Sequence, residues 1–200
     1  MGRNPEQNKI LRDVQQAKIL SVSLDIFVRR GFAATRIADI ASEAGVSAGL
    51  LYHYFPSKDD VLVALLQASL PRMEAAALEL EALDLPVADK IRLALQRLIS
   101  DIQEHSETGK FHLLFTQVSA SDVLPEAARA IIEQHANGPY QVMERLLAKG
   151  QEEGSVRDGT PREMAVIFWA LIRGLSIHRA VHGEKMGTPN PEMILPLFLK

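Results

Sequence analysis

"GVSAGLLYHYFPSKDD", residues 45–60, sets three aromatic rings and an imidazole side by side at Tyr52, His53, Tyr54 and Phe55. Ser47 is a strong N-cap for a short helix, Ala48–Phe55, and Gly45 can supply the left-handed residue that stops the helix before it. That preceding helix spans Arg36–Ala44, with Thr35 as its expected cap. Two short helices joined by a three-residue turn containing glycine make a helix-turn-helix, here residues 36–55, a unit that can place its second helix in a DNA major groove. Spacing then sorts the rings. Leu51 and Phe55 are four apart and share a face that Val46 leads into, so that face is core. Ala48, Gly49, Tyr52 and His53 form the opposite strip, flanked by Ser47, Leu50 and Tyr54. There the hydroxyls and imidazole can hydrogen-bond phosphates and base edges.

Upstream, Ala17, Leu20, Leu24 and Phe27 recur at three and four, widened by Ile19, Val22 and Ile26, and predict a first helix ended by Gly31. Ile37, Ile40 and Ala41 join Val46, Leu51 and Phe55 in locking the helical pair against it. Downstream, Ser57 and Asp60 stand in capping-box spacing before a fourth helix that runs apolar through Val61, Leu65 and Leu66. Lys58 in that first turn opposes the helix macrodipole, at a cost of about 0.3–1 kcal/mol when exposed. With a phosphate at the helix start, the lysine and the backbone N–H groups cooperate instead. Thr35 borders the same side.

The rest of the chain also reads helical: 87–105, 110–119, 124–151 with a break at Asn137-Gly138-Pro139, Pro161 to Val181, and a last segment from Glu192. No stretch alternates long enough to make a strand. An all-α protein is expected. The absence of cysteine excludes disulfides, thiolate metal sites and cysteine nucleophiles. The polar N-terminus lacks the apolar stretch of a signal peptide. The longest unbroken apolar run, Met164–Ile172, is about half a membrane span. A soluble cytoplasmic protein with no membrane partner is therefore expected. Net charge is −3, unevenly spread: +4 over residues 1–38 and −4 over residues 61–200. A mildly basic head on an acidic body suits an anion-facing module joined to one with another task.

The stretch "AKILSVSLDIFVRRGFAATRIADIASEAGVSAGLLYHYFPSKDDVLVALL", residues 17–66, resembles the DNA-binding domain of the tetracycline-repressor (TetR) family of bacterial transcription regulators. The likeness covers about residues 13–73 and rests on glycine-aromatic at 31–32, threonine at 35, "IA..AGVS" at 40–47, "LYHYF" at 51–55 and lysine at 58. It implies an N-terminal three-helix DNA-binding domain, 13–73, followed by a helical effector-binding and dimerisation domain, 74–200. It implies further that Thr35, Ser47, Ala48, Gly49, Leu50, Tyr52, His53 and Lys58 lie at or near DNA, with Tyr52, His53 and Lys58 mainly gripping phosphate. The family's pattern implies a homodimer on a pseudo-palindromic double-stranded operator, most often a repressor released by a small-molecule effector. Positions 48 and 50, often polar or basic in the family, are Ala48 and Leu50, which can touch thymine methyls but cannot hydrogen-bond a base edge. Readout then falls on Arg36, on Tyr52, or on an N-terminal arm carrying Arg3, Lys9 and Arg12.

Between Met164 and Leu175 only Arg173 is charged, and a helix apolar on every side must be covered on every side. A second copy of the chain is the expected cover. Candidates for an effector pocket are Phe111, His112, Phe115, Trp169 and Arg173, with Gln117, His135 and His178 behind them. The competing reading makes the aromatics ordinary core and the histidines surface or satisfied core. Arg173 amid apolar neighbours needs a carboxylate or an anion, and Asp101, Glu104 or Glu133 could supply one internally. An enzyme is not expected: there is no nucleophile elbow, phosphate-binding loop or H-E-x-x-H pattern. His178 and His182 are four apart but lack a third ligand, so neither metal nor cofactor is expected. A small-molecule enzyme and a helical adaptor without DNA stand as the alternatives.

Overall fold

The computed structural model describes residues 5–121, 123–185 and 187–200. Among the described residues ten α-helices follow one another: α1 Pro5–Arg30, α2 Ile37–Ala44, α3 Ala48–Tyr54, α4 Lys58–Ala82, α5 Val87–Glu104, α6 Ser106–Ser119, α7 Glu126–His135, α8 Gly138–Glu152, α9 Pro161–His182 and α10 Pro191–Ile194. No strand forms among the described residues; Val156 and Leu199 make one isolated bridge. The expected all-α architecture is what forms, and the break at 137–139 separates α7 from α8.

Local chemistry explains the helix ends in the head. Gly45 stops α2 with φ 66°, a left-handed conformation that a side chain would strain. The Ser47 hydroxyl caps α3 by accepting from the Leu50 N–H at 3.1 Å. At α4 the Ser57 hydroxyl accepts from the Asp60 N–H and donates to the Asp60 carboxylate. The cap of α2 differs from expectation. Arg36 occupies that position, and Asp39 reaches back to accept its N–H at 2.9 Å. Thr35 is instead buried, with its hydroxyl donating to the Gly31 carbonyl at 2.8 Å.

Two apolar clusters hold the molecule. One joins Ile19, Phe27, Ile40, Leu51, Phe55 and Leu66 of the head to Phe111, Leu114, Phe115 and Val118 of α6. The other gathers Ile91, Leu95, Leu146, Phe168, Ile172 and Phe198 from α5, α8, α9 and the C-terminal segment. Packing is thus continuous across the expected boundary after residue 73, because α4 crosses it unbroken and α6 packs on α1. Lys110 fastens that second junction with a 2.6 Å ion pair to Asp25, beside a hydrogen bond from Ser21 to Glu107. Ala17 was expected on the core stripe of α1 and is exposed. The first turns of that helix extend past its partners, and burial begins at Ile19.

α6 crosses α9 at Gly109, where a Cβ would overlap the Ser176 carbonyl oxygen and sit 3.0 Å from the Ala180 Cβ. Only glycine permits that approach. α4 and α9 are both long and apolar enough in composition to cross a bilayer, although neither contains an unbroken apolar run of that length. In this fold they are central packing elements, α4 against α7 and α8, and α9 against α6 and α8.

Candidate nucleic-acid interface and internal cavity

The second helix of the pair, α3, buries Leu51 and leaves Ala48, Gly49, Leu50, Tyr52 and His53 in solvent, with the cap Ser47 beside them. Tyr52 is 51% exposed and Leu50 40%. Tyr54 is half-buried against the head core, with the Arg12 guanidinium 5.9 Å from its ring centre. Arg36 and Lys9 are exposed. Arg3 lies outside the described residues. The side chains that sequence spacing places opposite the core therefore form one solvent-facing strip with two donor groups, a phenol and an imidazole.

Two expected members of that strip are engaged elsewhere. Thr35 is 1% exposed and its hydroxyl points to Gly31, so it does not reach the face. Lys58 turns its ammonium onto the carbonyls of Phe32, Ala33 and Thr35 at 2.9, 3.0 and 3.1 Å, which uses all three of its N–H donors. Its nitrogen also sits 4.7 Å from the centre of the Phe32 ring. This resolves the unfavourable lysine at a helix start: it ties three carbonyls of the loop after α1 to α4. Asp59 and Asp60 beside it restore the sign that the macrodipole prefers.

In the body, all five expected effector residues line one cavity. Phe111, His112 and Phe115 come from α6, Trp169 and Arg173 from α9. His135, Tyr140, Leu70 and Met73 complete the walls from α7, α8 and α4. The space is narrow, about 30 Å³, room for roughly two waters. Gln117 lies instead in an open groove between head and body, with Phe32 and Lys58. His178 stacks near His182 with ring centres 4.5 Å apart and does not reach the cavity.

The polar groups of the cavity differ in how well they are satisfied. The Trp169 indole N–H donates to the Pro139 carbonyl at 3.0 Å. His135 Nδ1 is 2.6 Å from the Glu74 carboxylate. Arg173 donates one N–H to the Tyr140 hydroxyl at 3.1 Å and lies 5.3 Å from the centre of the Phe115 ring. None of the carboxylates expected to neutralise it does so. Asp101 holds Thr108 and His105, and Glu104 holds Ser100. Among the described residues Arg173 forms no ion pair. His112 is 7% exposed and its Nδ1 has no hydrogen-bond partner. Burial, reinforced by the Arg173 charge and opposed by Asp101, pushes its pKa down to about 4, so the ring is neutral at neutral pH.

Tyr140, Leu70 and Met73 were missing from the sequence expectation. Tyr140 follows the Asn-Gly-Pro break, and a polar-tipped aromatic just inside a new helix was the available signal.

Comparison with known proteins agrees with this geometry. Residues 19–65 match the family model described as bacterial regulatory proteins, tetR family. The transcriptional repressor KstR2 of Mycobacterium tuberculosis is 26% identical over 167 residues, 80% of each chain. A solved structure of the ketosteroid transcriptional regulator KstR2 from that organism superposes with a TM-score of 0.73 and 20% identity, covering 92% of this chain and 95% of that one. The transcriptional activator FasR of Mycolicibacterium smegmatis is 29% identical over 57% of this chain, which spans only 51% of that relative's length. AibR, solved with isovaleryl coenzyme A and operator DNA, shares the fold with a TM-score of 0.71 at 16% identity, over 91% of this chain and 94% of that one. FasR and KstR2 are transcriptional regulators by name. With the helix-turn-helix in register and its matched segment ending inside α4, residues 19–65 are a tetR-family DNA-binding segment, and the chain around them is similar to transcriptional regulators of that fold.

Proposed function

We propose that this protein binds a pseudo-palindromic DNA operator as a homodimer in the cytoplasm, represses transcription there, and lets go when a small molecule fills the cavity behind Arg173. The observation that carries the reading is the solvent-facing strip Ser47, Ala48, Gly49, Leu50, Tyr52 and His53 on a helix whose other face is locked into the head core. Tyr52 and His53 contact phosphate in this reading, and Ala48 and Leu50 meet thymine methyls. Arg36, exposed one position before α2, supplies the base-edge or phosphate cation. Thr35 and Lys58 hold the head together and are not assigned to DNA. The structure of AibR with isovaleryl coenzyme A and operator DNA together supports the reading of a regulator that answers to a metabolite.

The dimer reading rests on α9. Val166, Ile167, Ala170, Gly174 and Val181 recur at helical spacing and are all exposed, an uncharged strip along the helix. A second copy covers it best, since two such strips related by a two-fold axis cover each other. Coupling between cavity and head has two physical routes. α4 carries Leu70 and Met73 at the cavity and Lys58 at the head. α6 carries Phe111 and Phe115 at the cavity and Val118 in the head core. A ligand that spreads the walls shifts both, and ligand and DNA then weaken each other reciprocally.

Fluorescence anisotropy on the DNA flanking the protein's own gene tests this. Wild-type protein is expected to bind a two-fold-related site, with affinity falling steeply as salt rises. Tyr52→Ala and His53→Ala are each expected to weaken binding by about tenfold and to reduce the salt slope while leaving the oligomeric state unchanged. Unchanged affinity in both variants removes the strip from the DNA contact.

A further inference from the structure

Resting on the reading of the cavity as the effector site, we propose that its ligand is a small aromatic carboxylate, held at its charged end by Arg173 and Tyr140. Three features of the walls select that class. First, the donors converge. Arg173 spends one N–H on the Tyr140 hydroxyl and none on a carboxylate, which leaves most of its planar fork unused. Tyr140, as acceptor in that bond, keeps its own O–H to donate. A guanidinium fork with a phenol beside it matches a planar two-oxygen anion. An arginine among Leu70, Met73, Phe111, Phe115 and Ile172 that no carboxylate of the described residues neutralises is free to take an anion as its counter-charge.

Second, the walls are aromatic. Phe111 and Phe115 stack with ring centres 6.3 Å apart, and Tyr140 and Trp169 lie tilted to one another at 5.9 Å. Such a lining also suits a quaternary ammonium ligand. Here the cation is already supplied from within: Arg173 lies over the Phe115 face. A second positive charge would meet the first across a low-dielectric gap, so cations are rejected and anions welcomed. Third, the buried Nδ1 of His112 has no partner in the protein. A hydroxyl or carbonyl oxygen of the ligand can complete it, which favours a ring bearing a second polar substituent. The tight space limits the ligand to a single ring, and even that ring must part the walls.

The test uses the full-length protein and matched probes. A panel of monocyclic aryl carboxylates (benzoate, phenylacetate, 2-hydroxybenzoate and 4-hydroxybenzoate) is titrated against the corresponding amides and benzylamines. Trp169, the chain's single tryptophan, lines the cavity, so its fluorescence reports occupancy directly. At least one carboxylate is expected to bind about tenfold or more tightly than its amide, with the amine weaker still. Arg173→Gln and Arg173→Met should erase that preference, and Tyr140→Phe should reduce it a few-fold. Equal binding of amide and acid, preference for the amine, or no binding by any carboxylate overturns the proposal, as does an Arg173 variant that keeps the preference. Thermal unfolding of each variant checks that it is folded. Binding that leaves operator affinity unchanged would overturn the effector reading while leaving the ligand class standing.

Discussion

Lys58 in the head and Arg173 in the body each set a cation over an aromatic ring, that of Phe32 and that of Phe115. From sequence both look like anion sites. Their surroundings separate them. Lys58 has three donors and three carbonyl acceptors within hydrogen-bond distance, so nothing is left to offer a phosphate. Arg173 has five donors and, among the described residues, one acceptor that is itself a phenol. The first cation finishes a fold; the second waits for something outside it. Charge and an aromatic neighbour do not make a binding site; unspent donors do.

That contrast can be broken by substitution, and the largest effect belongs to the head. Lys58→Ala removes three charge-assisted bonds to carbonyls that no helix satisfies. It is expected to lower the unfolding free energy by roughly 3 kcal/mol in urea titration. A stability loss below about 1 kcal/mol, with a selective loss of DNA binding, would return Lys58 to the phosphate contacts.

His112 gives the next largest effect, through acid. Its folded pKa of about 4 lies below the ordinary 6.5, so the unfolded chain takes up a proton that the folded chain refuses. The stability tied to the neutral ring is fully present above pH 6.5 and is lost as pH falls toward 4, by roughly 2 kcal/mol over that window. His112→Phe should show a shallower decline across it, because one titrating group is gone. Parallel stability curves for variant and wild type would mean that the ring is already solvated.

Arg173→Met should have the smallest effect. It removes a cation that no carboxylate neutralises, so unfolding should change by less than about 1 kcal/mol in either direction. A loss comparable with that of Lys58→Ala would show that the two cations are alike after all, and would demand a partner that Arg173 does not have in this fold.

The head was legible because its signals are local. Ser47 caps Leu50, Gly45 takes a positive φ, and Leu51 and Phe55 share a face, all within eleven residues. Two engagements there were not legible: the Thr35 hydroxyl turns back four residues to Gly31, where a helix cap was the simpler expectation, and nothing near Lys58 announces carbonyl partners up to 26 residues away. The body reverses the balance. Arg173 was conspicuous as the lone charge of an apolar helix, yet its actual neighbour Tyr140 stands 33 residues away across a helix break. Periodicity identifies which side is buried; it does not identify which helix is on the other side.

The glycine crossing of α6 and α9 has a mechanical corollary. Gly109 lets α6 approach the Ser176 carbonyl of α9 with no Cβ between them, and a swing of α6 about that crossing would act as a lever. Phe115 is six residues along the helix from the fulcrum and Val118 nine, so an ångström of push at the former becomes about 1.5 Å at the latter by the ratio of their arms. Lys110, one residue from the crossing, would move least in such a swing, and the tip of α6 that reaches the head core at Val118 would move most.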